Sequence, residues 1–333
     1  LLDTKTGREI TVEPETIVNA CGAWSGEVAA LAGITIEILY SKGSLLVTDR
    51  RITQRVVNRL RPPGDGDILV PGGTISILGT TSERMESIER IMPTIPEVDL
   101  IVEQGAAMIP ELETARYIRA YSGVRPILKS DINDNDRSAS RGFTLLDHAQ
   151  DHLDNFFTIP GGKLTTYRFM AEKTADVVCG RLGINKSCVT QIEPLPSTTA
   201  GMWTEPGLSP REWLAAAKPE DHLLCECEFV SQSIVDNVIV SIEEQNGEPD
   251  LQSISLRSRM GKGPCQGTFC GQRVTGHIYE RGGFLGNEGL AHLRDFLRKR
   301  WKGERPVLWA GQLIQAELKE ALYCGLLGLE LLP

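Results

Sequence analysis

Four cysteines in the second half of the chain have the residue type and spacing of metal ligands. They form two close pairs, Cys225 with Cys227 and Cys265 with Cys270, which one helix-length segment separates. Thiolates are soft ligands, so four of them that converge on one centre favour an iron–sulfur cluster or zinc. Glycines around the second pair allow a tight turn that aims backbone N–H groups at sulfur. The spacing predicts a metal centre, and the residues alone leave both metals open.

A glycine turn and three cations are candidates for binding an anion. The turn Gly161-Gly162-Lys163 comes directly before a predicted helix, whose N-terminal N–H groups and dipole favour negative charge. Arg125, Arg141 and Lys163 lie at predicted strand or turn ends, and guanidinium groups bind phosphate through paired donors. If the fold brings the cations together, they form an anion pocket. The alternative is an ordinary turn and three separate surface charges.

The composition is that of an ordinary folded protein. With 333 residues, 41% hydrophobic and 24% charged, the chain should form two or three domains. A formal net charge of −9 argues against general nucleic-acid binding, which requires a basic face. No apolar run is long enough to span a bilayer. The chain shows no signal peptide, and four of its eight cysteines have ligand-like spacing, which favours a reducing cytosolic compartment over disulfides.

The strand and helix patterns of the first 200 residues indicate how these groups are positioned. Strand, glycine and helix follow one another over residues 16–31, an arrangement typical of a dinucleotide site. Apolar runs between residues 34 and 124, including 36–40 and 43–47, predict an antiparallel sheet, with a covering helix at about 96–108. Two strands at 142–147 and 155–160 lead into the glycine turn and a helix with an apolar stripe. Residues 193–209 are rich in proline, glycine, serine and threonine, which predicts a linker.

Beyond the linker the pattern predicts helices. One begins at Ser231 and has an apolar face that ends before Asn246, and others are expected at 272–280, 287–299 and 312–327. The ordinary interpretation of the last apolar face is core packing against the cysteine segment, and the alternative is a docking face. That face consists of Trp309, Leu313, Ile314, Leu318, Leu322 and Leu326.

Several motifs occur in an order that is similar to that of a known family. The ordered segments are 18–24, 41–47, 68–71 with 77–81, 120–126, 140–142 and 161–168. Together they resemble the FAD-dependent glycerol-3-phosphate dehydrogenases. Leu45, where aerobic members have a histidine after Lys-Gly-Ser, agrees with the anaerobic branch. The cysteine segment is similar to the bacterioferritin-associated-ferredoxin-like 2Fe–2S domain.

The resemblance implies a chain of mixed α+β and α/β class. It implies a partial FAD-binding domain of the glutathione-reductase-like, D-amino-acid-oxidase type over residues 1–35 and 125–185, with an antiparallel-sheet substrate domain over 36–124. A linker over 186–218 then leads to a small helical 2Fe–2S domain over 219–282 and a helical extension over 283–333. The family's Gly-x-Gly-x-x-Gly loop does not occur here, so we expect an N-terminal part to be absent and this chain alone to be inactive.

The resemblance also implies which residues bind the cofactors and the substrate. Two groups are expected at the FAD: Ala20, Cys21, Gly22 and Trp24 after one strand, and Gly161, Gly162, Lys163, Leu164 and Thr165 beside the isoalloxazine ring. The substrate phosphate is expected at Arg125, Arg141 and Lys163. A 2Fe–2S cluster is expected on the four cysteines Cys225, Cys227, Cys265 and Cys270, with zinc as the less favoured occupant. The general base is not identified, because Leu45 cannot take a proton.

The implied activity is oxidation of sn-glycerol 3-phosphate to dihydroxyacetone phosphate. Electrons are expected to pass to quinone through partner subunits, including a membrane-anchoring iron–sulfur subunit. The expected location is cytoplasmic, peripheral on the cytoplasmic face of the inner membrane, and no nucleic-acid partner is expected. Two alternatives stay open: a flavin enzyme that acts on an amino acid or 2-hydroxy acid, and a non-catalytic electron-relay or zinc module.

Overall fold

The computed structural model describes residues 1–3, 7–128, 142–194, 214–215, 218 and 220–329. The chain divides into two compact units. Unit 1 consists of residues 1–42, 82–91 and 123–196, and unit 2 consists of residues 43–81, 92–122 and 197–333. Two long strands, β2 (Ile38–Thr48) and β7 (Tyr117–Leu128), each begin in one unit and end in the other.

Unit 1 contains a small mixed sheet. Its strands are β1 (Ile17–Asn19), β8 (Leu146–Asp147) and β9 (Phe156–Thr158), in the order β1–β9–β8. β1 and β9 are parallel, and β8 is antiparallel to β9. Helix α1 (Ser25–Leu31) follows β1 and contributes Ala29 to a core with Ile34 and Phe156. The predicted strand–glycine–helix segment is therefore confirmed.

The helix predicted after the glycine turn is also present in unit 1. A 3₁₀ helix at Leu164–Thr166 continues into α3 (Tyr167–Arg181). Its apolar stripe is largely exposed, and the buried positions of α3 are Glu172 and Thr174 instead. In the same unit, the first residues of β2 pair antiparallel with β6 (Glu83–Met85).

The sheet of unit 2 is antiparallel, as predicted. It runs β3 (Val57–Asn58), β4 (Ile68–Gly72), β5 (Ile75–Gly79) and then the second part of β2. Each neighbouring pair in this order is antiparallel. The two strands expected at 36–40 and 43–47 form one continuous strand, because Gly43 lies within β2 and does not interrupt it.

Helix α2 (Ile95–Ala106) covers this sheet. Thr94 caps it reciprocally with Glu97, whose Oε2 accepts from the Thr94 amide at 2.9 Å. Oε1 of the buried Glu97 accepts from the hydroxyls of Ser44 at 2.7 Å and Thr81 at 2.9 Å, so this carboxylate is fully hydrogen-bonded. The apolar face of the helix packs in a core that includes Leu46, Leu69, Leu78, Val98, Ile101 and Leu112.

The cysteine segment of unit 2 is helical around its own core. The helices are α4 (Gln232–Glu244), α5 (Leu251–Arg257), α6 (Cys270–Glu280), α7 (Glu288–Trp301) and α8 (Gly311–Leu327). Sequence reasoning missed α5, whose signal is Asp250: this N-cap carboxylate accepts from the Ser253 amide at 2.6 Å. The core includes Val238, Ile242, Ile254, Val274, Ile278, Leu293 and Phe296.

The core-packing interpretation of the last helix is wrong for its apolar face. All six residues of that face are at least half exposed, and the buried residue of α8 is Tyr323. Tyr323 forms an edge-to-face pair with Trp301, at 5.1 Å between ring centroids. The apolar face of α8 therefore lies outside the core of unit 2.

Two substitutions on α5 test the core of the cysteine segment. Ile254 is completely buried, whereas Leu256 on the same helix is 67% exposed. Ile254→Ala should lower the free energy of unfolding by about 2–5 kcal/mol, because it removes buried methylenes and leaves a cavity. Leu256→Ala should change it by about 0.5 kcal/mol or less. Urea denaturation followed by circular dichroism measures both, and equal losses would contradict the described core.

Candidate functional site

The first candidate site lies at one edge of the unit 1 sheet. β1 and β9 are parallel, with Asn19 opposite Thr158. The amide of Ile159 donates to the carbonyl of Asn19 at 3.0 Å, which extends the pairing past the strand end. Because parallel strands end at the same sheet edge, the segments 20–24 and 160–165 leave the sheet side by side. In open α/β sheets, this edge is where ligands bind.

The glycine turn has a backbone that requires glycine. Gly161 and Gly162 both have φ of 80°. A Cβ at Gly162 would also meet the sulfur of Met170 on α3, so a larger residue would strain the backbone and displace that side chain. Lys163 is the N-cap of the 3₁₀ helix, and its amide donates to Thr166 Oγ1 at 3.0 Å. The turn therefore carries the chain from β9 directly into the helix.

A cavity of about 360 Å³ in unit 1 brings two of the predicted cations together. Arg125, on β7, lines it together with Gly161, Gly162, Lys163 and Leu164. The third predicted cation, Arg141, lies outside the described residues. The turn and two of the three cations thus belong to one cavity.

Residues that follow β1 lie outside this cavity and are partly exposed to solvent. Cys21 is exposed, Trp24 is about half exposed, and neither lines the cavity of Arg125. Gly22 has a φ of 57°, which allows the chain to turn sharply after the strand. Their predicted contact with FAD stays a prediction.

The side chain of His148 is buried within unit 1. Its Nδ1 lies 2.9 Å from Asp151 Oδ2, its Nε2 lies 3.0 Å from Thr158 Oγ1, and its ring packs on Phe156. Both ring nitrogens are therefore engaged in local structure.

The second candidate site is a ring of four thiols in unit 2. The sulfur of Cys227 lies 3.8 Å from that of Cys225 and 3.7 Å from that of Cys265. Cys270 lies near both Cys225 and Cys265 and interacts with their thiols, and the four cysteines together are called the thiol ring. As they stand, the thiols contact one another, and the described residues contain no formed metal site of three or more His, Cys, Asp or Glu side chains. The distances of 3.8 and 3.7 Å are nonetheless those between neighbouring sulfurs of a tetrahedral centre with metal–sulfur bonds of about 2.3 Å, so this spacing fits a metal or a cluster.

The backbone around the ring donates to sulfur, as the glycine pattern predicted. Amides of Gly261 and Glu228 hydrogen-bond to Cys225, and those of Phe269 and Gly267 hydrogen-bond to Cys265. Such donors stabilise thiolate charge and are typical of the surroundings of a metal-bound sulfur.

The ring sulfurs differ in acidity because of the hydrogen bonds between them. Those from Cys227 and Cys270 lower the pKa of the Cys225 thiol to about 3, and they also lower the pKa of Cys265. The pKa values of Cys227 and Cys270 are raised, because each donates to both of those sulfurs. Cys225 and Cys265 thus lose their protons first, and binding of a metal cation would displace the protons of Cys227 and Cys270.

Arg300 interacts with the thiols of this ring, and Lys262 is near Arg300. Burial lowers the pKa of Arg300 to about 10, Arg119 acts in the same direction, and the thiols Cys270 and Cys265 act against it. Burial also lowers the pKa of Lys262, with a further contribution from the neighbouring arginines. A four-thiolate centre with iron or zinc carries net negative charge, so the donor set and its basic surroundings fit either occupant.

Glu228 links the cysteine segment to the β4–β5 hairpin. Its buried carboxylate accepts from the amide of Thr74 at 3.2 Å, from the Thr74 hydroxyl at 2.7 Å and from Arg259 Nε at 2.7 Å. Arg259 also donates to the carbonyl of Gly72. Since the Glu228 amide bonds to Cys225, one residue connects the hairpin to a ring sulfur.

A family model described as "FAD dependent oxidoreductase" matches residues 2–168, which is half of the chain. The chain belongs to the FAD dependent oxidoreductase family. The thiol ring lies beyond the stretch that this family model matches.

Two relatives of this FAD dependent oxidoreductase are each named as one subunit of anaerobic glycerol-3-phosphate dehydrogenase. The protein of Escherichia coli (strain K12) is 38% identical over 98% of this chain and 63% of its own length. That of Haemophilus influenzae is 36% identical over 98% of this chain and 61% of its own length. The chain therefore spans about three fifths of the length of these two relatives.

A solved structure has the same fold. The glycerol-3-phosphate dehydrogenase from Bacillus halodurans, complexed with FAD, aligns with a TM-score of 0.56 at 19% identity. The alignment covers 93% of this chain and 66% of that chain. The expected FAD-binding fold with mixed sheets is thereby confirmed at the level of architecture.

Several residues of the two sites escaped the sequence analysis. Ser41 and Ser82 line the cavity of Arg125, and Glu228 and Arg259 lie beside the thiol ring. β2 is buried on both faces along much of its length, so alternation could not single out Ser41. The only local signal for Glu228 is its position directly after Cys227.

Gly263 provides a test of the thiol ring that does not depend on activity. A Cβ at this position would lie 2.6 Å from the sulfur of Cys227, so Gly263→Ala should displace that ligand. We expect roughly 10- to 100-fold weaker binding of Zn²⁺ or Co²⁺ in a chelator competition.

The control for this substitution is Gly276→Ala on α6. A Cβ at Gly276 meets nothing within 4 Å, so binding should stay at the wild-type value. Equal metal affinity of both variants and the wild type would exclude Cys227 from the metal site.

Proposed function

We propose that the complete protein oxidises sn-glycerol 3-phosphate to dihydroxyacetone phosphate with FAD as its cofactor. The observation that carries this proposal is the cavity that Arg125 and Lys163 share with the glycine turn. Membership of the FAD dependent oxidoreductase family and the two relatives named glycerol-3-phosphate dehydrogenase support it.

The cations of the cavity hold the substrate phosphate in this proposal. Arg125 offers paired N–H donors and Lys163 a point charge, and Arg141 is the third cation that we propose for the same anion. Fixing the phosphate orients the secondary alcohol carbon, and such positioning supplies up to roughly 7–11 kcal/mol of the barrier in ideal cases. Leu45 has no titratable group, so the proton of that alcohol requires another acceptor.

The segments that follow β1 and β9 hold the flavin in this proposal. Ala20, Cys21, Gly22 and Trp24 form one group, and Gly161, Gly162, Lys163, Leu164 and Thr165 form the other. Bound FAD supplies the hydride acceptor for the alcohol carbon. The N–H groups at the start of the 3₁₀ helix and the charge of Lys163 favour negative charge nearby.

The thiol ring is proposed to hold a 2Fe–2S cluster on Cys225, Cys227, Cys265 and Cys270. A cluster of this kind supplies one-electron transfer. The backbone N–H donors to Cys225 and Cys265 and the charge of Arg300 support a net negative centre, and zinc is the less favoured occupant.

We propose that electrons leave through partner subunits, one of them a membrane-anchoring iron–sulfur subunit, and reach quinone. The relatives are named as one subunit of their enzyme, which supports a complex with several chains. None of the helices within the described residues has both the length and the apolarity to cross a membrane. Peripheral attachment at the cytoplasmic face of the inner membrane is part of the same proposal.

Arg125→Ala tests the phosphate site in the complete, flavin-loaded protein. Loss of a charged hydrogen-bond donor costs about 1.5–3 kcal/mol, which lowers kcat/KM for glycerol 3-phosphate roughly 10- to 100-fold. The flavin content, read from the visible spectrum, should not change.

Arg90→Ala is the matched control for charge, because Arg90 is exposed and does not line the cavity. It should keep the wild-type kinetics. Unchanged kinetics in Arg125→Ala would remove Arg125 from the phosphate site, and no turnover of the wild type would overturn the proposed activity.

Cys265→Ser tests the cluster in protein prepared without oxygen. Loss of one thiolate should abolish stoichiometric iron and acid-labile sulfide, while flavin bleaching by glycerol 3-phosphate persists. Turnover with a small dye should survive, since a dye can take electrons without the cluster.

The exposed Cys188 provides the control, and Cys188→Ser should keep the wild-type iron content. Zinc without iron in the wild-type protein would exclude a 2Fe–2S cluster. The proposed alcohol oxidation would still stand in that case.

A further inference from the structure

Two serine hydroxyls line the same cavity as Arg125 and Lys163. Ser41 lies on β2 and is 2% exposed, and Ser82 comes directly before β6. Their Oγ atoms are 3.0 Å apart, so one hydroxyl donates to the other. None of the functions described above uses this pair.

The segments that carry these serines are fixed to each other. Ser41 pairs with Arg84 and Lys42 pairs with Glu83 in the antiparallel β2–β6 ladder. The buried ammonium of Lys42 also forms an ion pair with Glu83 at 2.8 Å. The two hydroxyls therefore hold their position with support from both the backbone and a side-chain pair.

Ser41 and Ser82 contribute hydroxyls and no charge to the cavity wall, because neither Lys42 nor the exposed Arg84, the ladder partner of Ser41, lines the cavity. Successive side chains of a strand point to opposite faces, so Lys42 points away from the face of Ser41. Its charge is also balanced by Glu83. The same cavity thus has cations at Arg125 and Lys163 and neutral hydroxyls at Ser41 and Ser82.

This combination matches a ligand with an anionic group and a separate alcohol. A serine hydroxyl has one donor and two acceptor lone pairs, so a bonded pair still offers one O–H and several lone pairs. An alcohol can both donate to and accept from such a pair. A 2-hydroxy acid has one alcohol, which is the group to be oxidised, and most amino acids have none, so these compounds bring no second hydroxyl to this wall.

We propose that Ser41 and Ser82 bind the substrate hydroxyl that lies farthest from the phosphate. They thereby select polyol phosphates over phosphate esters that lack this hydroxyl. The inference rests on the proposed function, and it adds two specificity-determining residues to the two described cations of that cavity.

The test compares two substrates in the complete, flavin-loaded protein. One is sn-glycerol 3-phosphate, and the other is propane-1,2-diol 1-phosphate of matching configuration, which lacks only the terminal hydroxyl. The wild type should prefer glycerol 3-phosphate in kcat/KM, because the analogue leaves the serine pair without its partner. Ser82→Ala and Ser41→Ala should each reduce this preference by roughly tenfold, the value of one hydrogen bond.

Two control variants separate recognition from structure. Ser82→Thr keeps the hydroxyl and should retain the preference. Ser87→Ala alters an exposed serine of the same segment, outside the cavity, and should leave the preference at the wild-type value. If Ser41→Ala does not fold, the half-buried Ser82 still provides the test through its alanine and threonine variants.

The outcomes are distinguishable from failure of the proposed function. An equal loss with both substrates in Ser82→Ala would give the serines a structural role and overturn the inference, as would a wild type without preference. If the wild type oxidises neither compound, the proposed function itself fails. A preference that falls in Ser82→Ala and persists in Ser82→Thr supports the inference.

Discussion

The parallel pairing of β1 with β9 is the constraint on which the candidate flavin site depends. It joins strands that are more than 130 residues apart in sequence and ends them at one sheet edge. After Thr158 the chain turns through Gly161 and Gly162, which are both in the left-handed region, and enters α3. This pairing brings Lys163 and the segment 20–24 to the same edge of the sheet.

Charge compensation organises the second site in the same way. Thiols in mutual contact cannot all ionise without cations, and the chain supplies Arg300 and Lys262 close by, at a cost in desolvation that lowers their own pKa values. Backbone amides reach the sulfurs of Cys225 and Cys265 from four different residues. A buried cation such as Arg300 is stabilised by the negative charge of the thiolates, so the cations and the ring depend on each other.

The sequence predicted the parts of the fold that local patterns determine. Helices with apolar periodicity, the turn at Gly161 and the grouping of the cysteines were all visible in one dimension, and ordered motifs indicated the family. Contacts between residues that are far apart in the sequence could not be predicted from these local patterns. Ser41 meets Ser82 only through strand pairing, and α5 was missed because its signal is the single cap Asp250. The α8 face was misjudged, since periodicity shows which side of a helix is apolar and not what covers it.

Glu228 is bonded through its amide to Cys225 and through its carboxylate to Thr74 and Arg259. Removing either member of the buried Glu228–Arg259 ion pair costs about 3–5 kcal/mol. The residues of the hairpin tip and of the cysteine loop are therefore under a shared evolutionary constraint.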